Sequence, residues 1–584
     1  MPSNRAPVSK AVRIPSPVKG WHVGADIADA PPGTAYILDN AFPQVDFIRV
    51  RGGATSYATG IPGSPVVSSL MVWTNGGTWK MFAGVPGAIY DVSNPGSVGA
   101  AAVSGLSGGS NFQGIQFKGL SGTYLIAVNG VDAPQVFNGS AWNQTYSFTG
   151  NLSSGTNTIL SVSSIANLAP GQVITGAGIP AGTTIASAIG TTVTMSANAT
   201  SNGTGVSVKA YQVSPISGVT DSALSYVWSF KNRLYFIAAS SMHVWYLGLD
   251  AIGGAATMLD LSSIFPLGGK LLCGAQWSVE TSQGLWETCV FVTSMGEVAV
   301  YAGGWPGDSG WTLVGTYRIS IPVGPNCLMK AGGDLAIMTQ DGIISMSQAQ
   351  TLDQAALQNV AITAPIGPAW VAAVQARLGL SGWSITPWPF QSMAIICLPK
   401  VNSNDFTQFV ANTRTGAWCR YIGWDANSFA VMNNALYFGA SSGNVMQAET
   451  GGLDNGVPYT VTVFPAFSEL GAGVNRKDVK MVRPMVQANF VLNQQVTINT
   501  DFNLNLPVPP SASSGVLGSS FWDSSLWDMA IWPPIMLQQS NWLGAFGYGS
   551  DISPIWQITI SSTATPNVQL SAIDVLAEIG SAIG

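Results

Sequence analysis

Charged residues are scarce in this sequence. Only 9% of its 584 residues are Asp, Glu, Lys or Arg, against roughly 25% in an ordinary soluble domain. The 22 basic and 28 acidic residues give a formal net charge of −6. This balance argues against a nucleic-acid binder, which needs a basic surface to release counterions from phosphate. A surface with so few charges is poorly soluble on a free monomer, so we expect part of it to be buried in an assembly.

Long apolar runs are also missing, although 47% of the residues are hydrophobic and the mean hydropathy is +0.29. The longest runs, such as residues 393–398, are far shorter than the roughly 20 residues that cross a bilayer. The first ten residues lack the apolar core of a signal peptide. We therefore expect neither a membrane-spanning helix nor a signal peptide, and we expect the apolar residues to pack within the chain or against other subunits.

Histidine and cysteine are too few for the common metal sites. The chain has only two His and five Cys, and no two Cys form a C-x-x-C pair, so a zinc site is not expected. Each Cys lies in or beside an apolar run, which predicts buried free thiols typical of a reducing cytoplasm. These cysteines are Cys273, Cys289, Cys327, Cys397 and Cys419.

Catalytic motifs are absent. The sequence has no phosphate-binding loop, dinucleotide fingerprint or H-E-x-x-H. A Ser–His–Asp arrangement could use only His22, in the N-terminal arm, or His243, in a predicted strand where a core or wall position explains it better. A glycosidase needs two facing carboxylates, and the acidic residues available for that role are typical of turns and surfaces: Asp250, Asp260, Glu280, Glu287 and Asp341. We expect no enzyme, no cofactor and no bound metal.

The sequence does contain an internal repeat. A short apolar strand is followed by a Gly/Ser/Asn turn and then by a second strand that ends in a large apolar residue. The first five copies are residues 80–84 with 88–90, 124–128 with 135–137, 234–238 with 243–246, 290–293 with 297–301, and 335–339 with 342–346. Two further copies are 393–398 with 406–410, and 436–438 with 443–446.

The spacing of the copies predicts the fold. Successive copies start about 45 residues apart, which is the length of a β-propeller blade. One hairpin of this size cannot bury both of its faces, so several must stack around an axis. We predict an all-β chain built around a β-propeller of six or seven blades, and an array of β-sandwiches is the structural alternative.

One gap in the repeat, between Leu125 and Leu234, spans about 109 residues, and removal of an inserted segment of about 65 residues restores the period. Residues 150–210 are rich in Ser, Thr, Ala, Gly and Asn, and Lys209 is their only charged residue. Runs at 172–175 and 191–195 predict a small β module on a propeller loop, either a passive decoration or a receptor-binding surface. A single helix is predicted over 368–378, with Pro368 near its start and Gly379 after its end.

The C-terminal part changes in character from about residue 457. Runs at 459–464, 481–490, 495–499, 556–561 and 568–575 predict strands of a separate, sandwich-like β domain. A Pro-rich stretch lies between the runs at 495–499 and 556–561. In it, Trp522, Trp527 and Trp532 stand five residues apart, a period that suits neither helix nor strand. These rings either cover their own domain or bind a neighbouring subunit, because Trp is enriched at interfaces.

The resulting division of the chain has five parts. They are an N-terminal arm with the first strands (1–60), the first blades (61–145), the inserted module (146–212), the remaining blades (213–455) and the C-terminal β domain with its Trp-rich segment (456–584).

Several loose motifs resemble one known family. They are 33–43 (GTAYILDNAFP), 49–53 (RVRGG), 127–134 (AVNGVDAP), 318–320 (RIS) and 331–337 (AGGDLAI). On these residues the chain resembles the tail nozzle, or tail tubular protein B, family of short-tailed bacteriophages. In the insert, 178–182 (GIPAG) followed by 190–194 (GTTVT) is similar to a small module that recurs among phage virion proteins. The resemblance covers most of the chain but no catalytic or ligand-binding motif.

The resemblance implies a structural part of a virion. It implies a ring, expected to be a hexamer, that attaches to a tail adaptor protein, continues the DNA channel and carries tail fibres or spikes. An acidic lumen would repel phosphate and let genomic DNA pass without specific binding. The alternatives are a receptor-binding or glycan-cleaving propeller of the virion, and a propeller scaffold unrelated to phages.

Overall fold

The computed structural model describes residues 9–24, 26–120, 122–281, 284–473, 475–511 and 536–582. The chain divides into two compact units. Unit 1 comprises Met1–Leu70, Asn94–Val98 and Ile319–Gly584, and unit 2 comprises Met71–Ser93 and Gly99–Arg318.

Unit 2 contains four antiparallel meander sheets of the blade type. Their strands are short and are joined by turns rich in Gly, Asn and Ser, which tolerate positive φ. Blade 1 has strands Ser69–Asn75, Thr78–Val85, Ala88–Asp91 and Val103–Ser104, and blade 2 has Gln113–Gly119, Gly122–Val128 and Gln135–Phe137. Blade 3 has strands Leu224–Phe230, Arg233–Ala238, His243–Tyr246 and Thr257–Asp260. Blade 4 has strands Leu271–Thr281, Gly284–Thr293, Glu297–Ala302 and Thr312–Arg318. A two-stranded parallel sheet joins Ile216–Ser217 to Gly254–Ala255.

Unit 1 contains three more sheets of this type. Blade 5 has strands Leu328–Ala331, Asp334–Thr339 and Gly342–Ser345; blade 6 has Ser384–Trp388, Met393–Cys397, Thr407–Asn412 and Trp418–Ile422; blade 7 has Ser428–Met432, Ala435–Gly439 and Val445–Ala448. The outer strand of blade 7 comes from the other end of the chain, since Ala54–Thr59 pairs with Val445–Ala448 and then with Gly96–Ser97.

The predicted fold class is confirmed: the chain is an all-β protein of the propeller class. Each of the seven predicted hairpins is an antiparallel pair in the structure. Neighbouring blades of unit 2 bury their faces against each other. Blades 2 and 3 share a core that includes Ile126, Val227 and Phe236, none of them exposed to solvent.

The insert forms a six-stranded sheet of its own. Its strands, in spatial order, are Ile174–Gly176, Gly203–Tyr211, Thr145–Leu152, Thr158–Leu160, Thr192–Met195 and Ile185–Ile189. Its apolar side chains, among them Phe148, Ile159 and Val208, form a separate core. Thr145 and Tyr211 are paired across the sheet, so the chain enters and leaves the insert at one place.

Excision of the insert is therefore expected to leave the rest of the chain folded. Replacing residues 146–210 by a short Gly/Ser linker should change the free energy of unfolding of the remainder by about 1 kcal/mol or less, because loop length has only a weak effect on closure entropy. Denaturant unfolding measures this change. Deleting the blade hairpin at 78–91 is the control and should abolish folding; an excised chain that is equally unfolded would contradict the prediction.

The two largest sheets lie in unit 1. A seven-stranded sheet contains Ser9–Pro15, Ala41–Pro43, Ile48–Val50, Val568–Ala582, Asn475–Ala488, Leu537–Gln539 and Leu543–Gly549. An eight-stranded sheet continues from blade 6 through Ala35–Asp39 to Tyr459–Pro465, Ile552–Ile560 and Gln494–Thr500.

Strands from both ends of the chain thus share these two sheets, whereas the sequence placed residues 1–60 and 456–584 in different parts. Blade 6 also runs directly into the C-terminal strands, because Asp39 pairs with Arg420 and Leu38 pairs with Val463. The local pattern of a strand shows which face is apolar but does not identify a partner several hundred residues away.

The predicted helix is confirmed as Gly367–Gln375, with Pro368 in its first turn. The other helices are short: Met346–Ala349 and Gln354–Leu357 are α-helical, and five 3₁₀ segments span Ile27–Asp29, Asp221–Ala223, Gln358–Val360, Ala364–Ile366 and Pro389–Gln391. Within the described ranges, no single helix is long and apolar enough to cross a membrane. One pair bent by 87°, Gln354–Val360 with Ala364–Gln375, passes the same test on length and composition only.

Candidate functional site

Arg51 is the centre of a buried ionic cluster in unit 1. Its side chain is 0% exposed, and every one of its N–H groups has an acceptor. The two Nη atoms donate to Asp454 at 2.8 and 2.6 Å, and Nε donates to Asn40 Oδ1 at 2.8 Å. The carbonyl oxygens of Gly52 and Ile422 accept the remaining two bonds. A buried charge is tolerated only when it is paired and fully hydrogen-bonded, as here.

Aromatic rings enclose the same guanidinium. Its carbon lies 3.9 Å from the ring centre of Tyr459 and 5.0 Å from that of Trp424. Burial raises the pKa of the Tyr459 hydroxyl, so this group stays neutral. The Tyr459 hydroxyl donates to the carbonyl of Arg51.

A second ion pair extends the cluster. Arg49 Nη1 donates to Glu449 Oε2 at 2.9 Å, and the same oxygen accepts the backbone N–H of Gly52 at 2.8 Å. The chain can approach this closely because residue 53 is glycine: a Cβ there would lie 2.3 Å from the carbonyl oxygen of Leu453. The Arg-x-Arg-Gly-Gly run therefore fastens the N-terminal segment to blade 7 and to the C-terminal strands.

A cavity of about 570 Å³ lies beside this cluster within unit 1. Its wall includes three aspartates, Asp39, Asp425 and Asp454, and aromatic side chains such as Phe406, Trp424 and Phe438. Trp424 Nε1 and Gln557 Oε1 are buried in this wall without a hydrogen-bond partner among the described residues. If the chain cleaved glycans, the three aspartates of this cavity would be the candidate catalytic carboxylates.

The carboxylates of the cavity are already engaged. Arg420 contacts both oxygens of Asp39, at 2.6 and 2.9 Å. Asp425 pairs with Lys400 and accepts from Ser441, and Asp454 pairs with Arg51. Burial raises the pKa of Asp39, and Arg420 opposes this shift. Two carboxylates that act as acid and nucleophile must face a sugar; each of these three is instead paired with a cation, Arg420, Lys400 or Arg51.

Among the described residues of unit 2, the carboxylates singled out from the sequence have separate partners. Glu287 pairs with Lys231 and accepts from Gln276 at 2.9 Å, whereas Asp250 accepts from Asn232 at 3.3 Å. Asp341 belongs to unit 1, and the side chain of Glu280 lies outside the described ones. Among the described residues, no three His, Cys, Asp or Glu side chains are grouped to hold a metal.

Neither histidine stands between a serine and a carboxylate. His243 is 42% exposed and lies 3.9 Å from Asp260, and Asp260 in turn accepts from Ser262. In a catalytic triad the histidine lies in the middle, whereas here the aspartate does. His22 is partly buried, and burial lowers its pKa.

The five cysteines are buried thiols outside any disulfide, as the sequence predicted. Burial raises the pKa of Cys397 to about 12. A thiol of this kind does not ionise near neutral pH and is chemically inert in the folded chain.

An exposed sheet edge is the second feature of unit 1. The strand Leu543–Gly549, here called the edge strand, pairs with Asn475–Ala488, and no other described strand pairs with it. Its sequence, LGAFGYG, contains no charge and no proline. Phe546 is 78% exposed and Tyr548 is 60% exposed. Natural sheets usually protect such edges with charges, proline or a covering element.

The interface residues proposed from the sequence, Trp522, Trp527 and Trp532, lie outside the described residues. The sequence did not point to the cluster around Arg51 as a site, although residues 49–53 contributed to the family resemblance. A useful signal was present: two arginines directly before a Gly-Gly pair in a chain with only 22 basic residues. The edge strand was missed because its apolar residues are few and separated by glycine.

Comparisons with known proteins assign no family. No family model matches the chain, and no curated protein matches it. Similar solved structures include the Saccharomyces cerevisiae protein Sqt1 (11% identity, TM-score 0.33, covering 68% of this chain and 98% of that one). A computationally designed protein, Ika8, is 12% identical with a TM-score of 0.30, and the match covers 68% of this chain and 99% of that one. BamB from Moraxella catarrhalis is 12% identical with a TM-score of 0.24, and the match covers 76% of this chain and 97% of that one. Identities and TM-scores this low assign neither a family nor a function to the chain.

Proposed function

We propose that this chain is a non-enzymatic structural protein of a short phage tail. It assembles in the host cytoplasm into a homo-oligomeric ring, expected to be a hexamer, that becomes part of the virion. The ring docks on a tail adaptor protein, carries a tail fibre or spike, and continues the channel through which genomic DNA leaves without being bound specifically.

The observation that carries this proposal is the edge strand, which pairs with no second described strand and exposes two aromatic side chains. A monomer with such an edge is prone to pair with other chains. Unit 1 exposes further apolar side chains, namely Val457, Val491, Leu504, Leu506 and Val508. In a chain with 9% charged residues, this surface favours burial between subunits over permanent contact with water.

Two other features support a structural role over catalysis. The aspartates of the cavity are each paired with a cation, as described above. The sequence motifs that resemble phage tail nozzles include the residues around Arg51, where the N-terminal segment is fastened to blade 7. A part of a tail must hold its ends firmly while DNA passes, and this cluster supplies such a fastening.

Mass measurement and negative-stain imaging of the purified protein, alone and with its adaptor, test the proposal. We expect closed rings with an axial hole wide enough for a DNA duplex. The adaptor is included because it can nucleate a ring that the free chain does not form. A particle that stays monomeric in both samples would contradict the proposal.

A further inference from the structure

Two strands at the margins of the seven-stranded sheet, on opposite sides of it, each pair with only one described strand. One is the edge strand, Leu543–Gly549. The other is Ser9–Pro15, here called the first strand, which pairs with Val568–Ala582. Both strands are seven residues long, so either one can cover the full length of the other.

The directions of the strands make the two edges complementary. Across the sheet, the order is the first strand, Val568–Ala582, Asn475–Ala488 and the edge strand. Each neighbouring pair in this order is antiparallel. The first strand and the edge strand therefore run in opposite directions. If the sheet of one copy continues into the sheet of the next, the new pair is antiparallel, like the rest of the sheet.

The two faces of the sheet restrict the register of such a pair. Tyr548, Asp478, Glu578 and Ser9 follow one another across the four strands, so they share the outer face. Gly547, Val479, Ala577 and Lys10 form the neighbouring row on the inner face. Because side chains alternate with a period of two, Tyr548 must lie opposite Ser9, Ala11 or Arg13 of a second copy and never opposite Lys10.

Charge is complementary at the same place. Asp501, Asp551 and Glu469 surround the end of the edge strand: a Cβ on Gly549 would lie 2.9 Å from Asp501 Oδ1, and Asp501 accepts the N–H of Ser550 at 2.6 Å. Burial, Glu469 and Asp501 raise the pKa of Asp551, and Lys477 opposes them. In an antiparallel pair this acidic end meets the start of the first strand, where Lys10 is exposed on the matching inner face.

We propose that the edge strand of one copy adds to the first strand of the next copy as an antiparallel pair, which joins their seven-stranded sheets. The contact is head-to-tail, since each copy uses two different surfaces, and repeated contacts of this kind close into a ring when the rotation permits. This inference rests on the proposed ring and specifies the contact that builds it.

Phe546→Lys tests the contact with little risk to folding. The Phe546 side chain is 78% exposed on the outer face, and charge on an edge strand is a natural device against pairing. Phe390→Lys is the matched control, because Phe390 lies in the same unit and is 68% exposed. We expect Phe546→Lys to raise the dissociation constant between copies about 10-fold or more, as loss of an interface aromatic does, and Phe390→Lys to leave it unchanged. Sedimentation velocity measures both.

Disulfide cross-linking tests the register. The five native cysteines are buried, so only the introduced thiols are accessible for cross-linking. Chains with Tyr548→Cys are mixed with chains that carry Ser9→Cys, Ala11→Cys or Lys10→Cys. We expect mixed dimers with Ser9→Cys or Ala11→Cys, and a much lower yield with Lys10→Cys, whose side chain lies on the opposite face.

The outcomes separate this inference from the proposed function. The strand pairing is overturned if rings form equally well with Phe546→Lys, or if Lys10→Cys cross-links as well as Ser9→Cys and Ala11→Cys. Either result leaves the proposed ring in place. A chain that forms no oligomer at all, with or without its adaptor, overturns both.

Discussion

Replacing Arg51 by Met is expected to destabilise unit 1 by about 3–5 kcal/mol, because it leaves the carboxylate of Asp454 buried without its cation. The guanidinium is completely buried, donates two bonds to Asp454 and lies against the rings of Tyr459 and Trp424. It also bonds the carbonyls of Gly52 and Ile422. The substitution therefore removes five bonds from a site that water reaches poorly. Denaturant unfolding, with amide hydrogen exchange in Tyr459–Pro465 and Val445–Ala448, measures the loss.

Matched variants separate the charge from the packing. Arg51→Met combined with Asp454→Leu removes both charges and should recover much of the lost stability, since an apolar pair can replace a buried ion pair. Arg13→Met removes a cation that is exposed and pairs with Asp574, and it should cost about 1 kcal/mol or less. If Arg51→Met unfolds like the unsubstituted chain, the cluster does not fasten the N-terminal segment.

Replacing Trp370 by Ala is expected to cost a similar amount, about 3–5 kcal/mol, because a large ring leaves a cavity in a closely packed core. Trp370 is fully buried in the helix Gly367–Gln375 and lies 5.9 Å from Trp383 between ring centres. Its Nε1 donates to the carbonyl of Thr339 at 2.9 Å. This side chain therefore attaches the helix to blade 5. The midpoint of denaturant unfolding reports the change.

Two further variants control the Trp370 experiment. Trp370→Phe keeps an aromatic ring but leaves the Thr339 carbonyl without its donor, at an expected cost of about 1–3 kcal/mol. Trp286→Ala removes a ring that is 44% exposed and should change stability by about 0.5 kcal/mol or less. Equal effects of Trp370→Ala and Trp286→Ala would show that the helix is not held by this ring.

The hairpins illustrate what can be read from local pattern. The pair 234–238 with 243–246, for example, is predicted from its apolar residues and from the turn between its strands, and the structure has it as Arg233–Ala238 and His243–Tyr246. The helix over 368–378 is predicted in the same way, from Pro368 and Gly379. These features depend on residues that are close in the chain, so each segment carries its own signal.

The candidate site could not be predicted from local pattern. Arg51 and Asp454 are separated by about 400 residues, and Asn40 joins them only after the strands have paired. An isolated Arg or Asp in a low-charge chain is indistinguishable from a surface residue. Their burial depends on long-range strand pairing, which the alternation of apolar residues does not specify.

The sequence by itself determined the all-β class, the repeated hairpins, the insert, the single longer helix and the inert cysteines, because each follows from composition or from spacing over a few residues. Only the tertiary structure decided that Ala54–Thr59 completes blade 7, that both chain ends share two sheets, and that a charged cluster lies buried where they meet. It also decided which strands are left at the edges. The physical reason is that a strand satisfies its hydrogen bonds with any partner of suitable register, and the choice among distant partners is made by the packing of the whole unit.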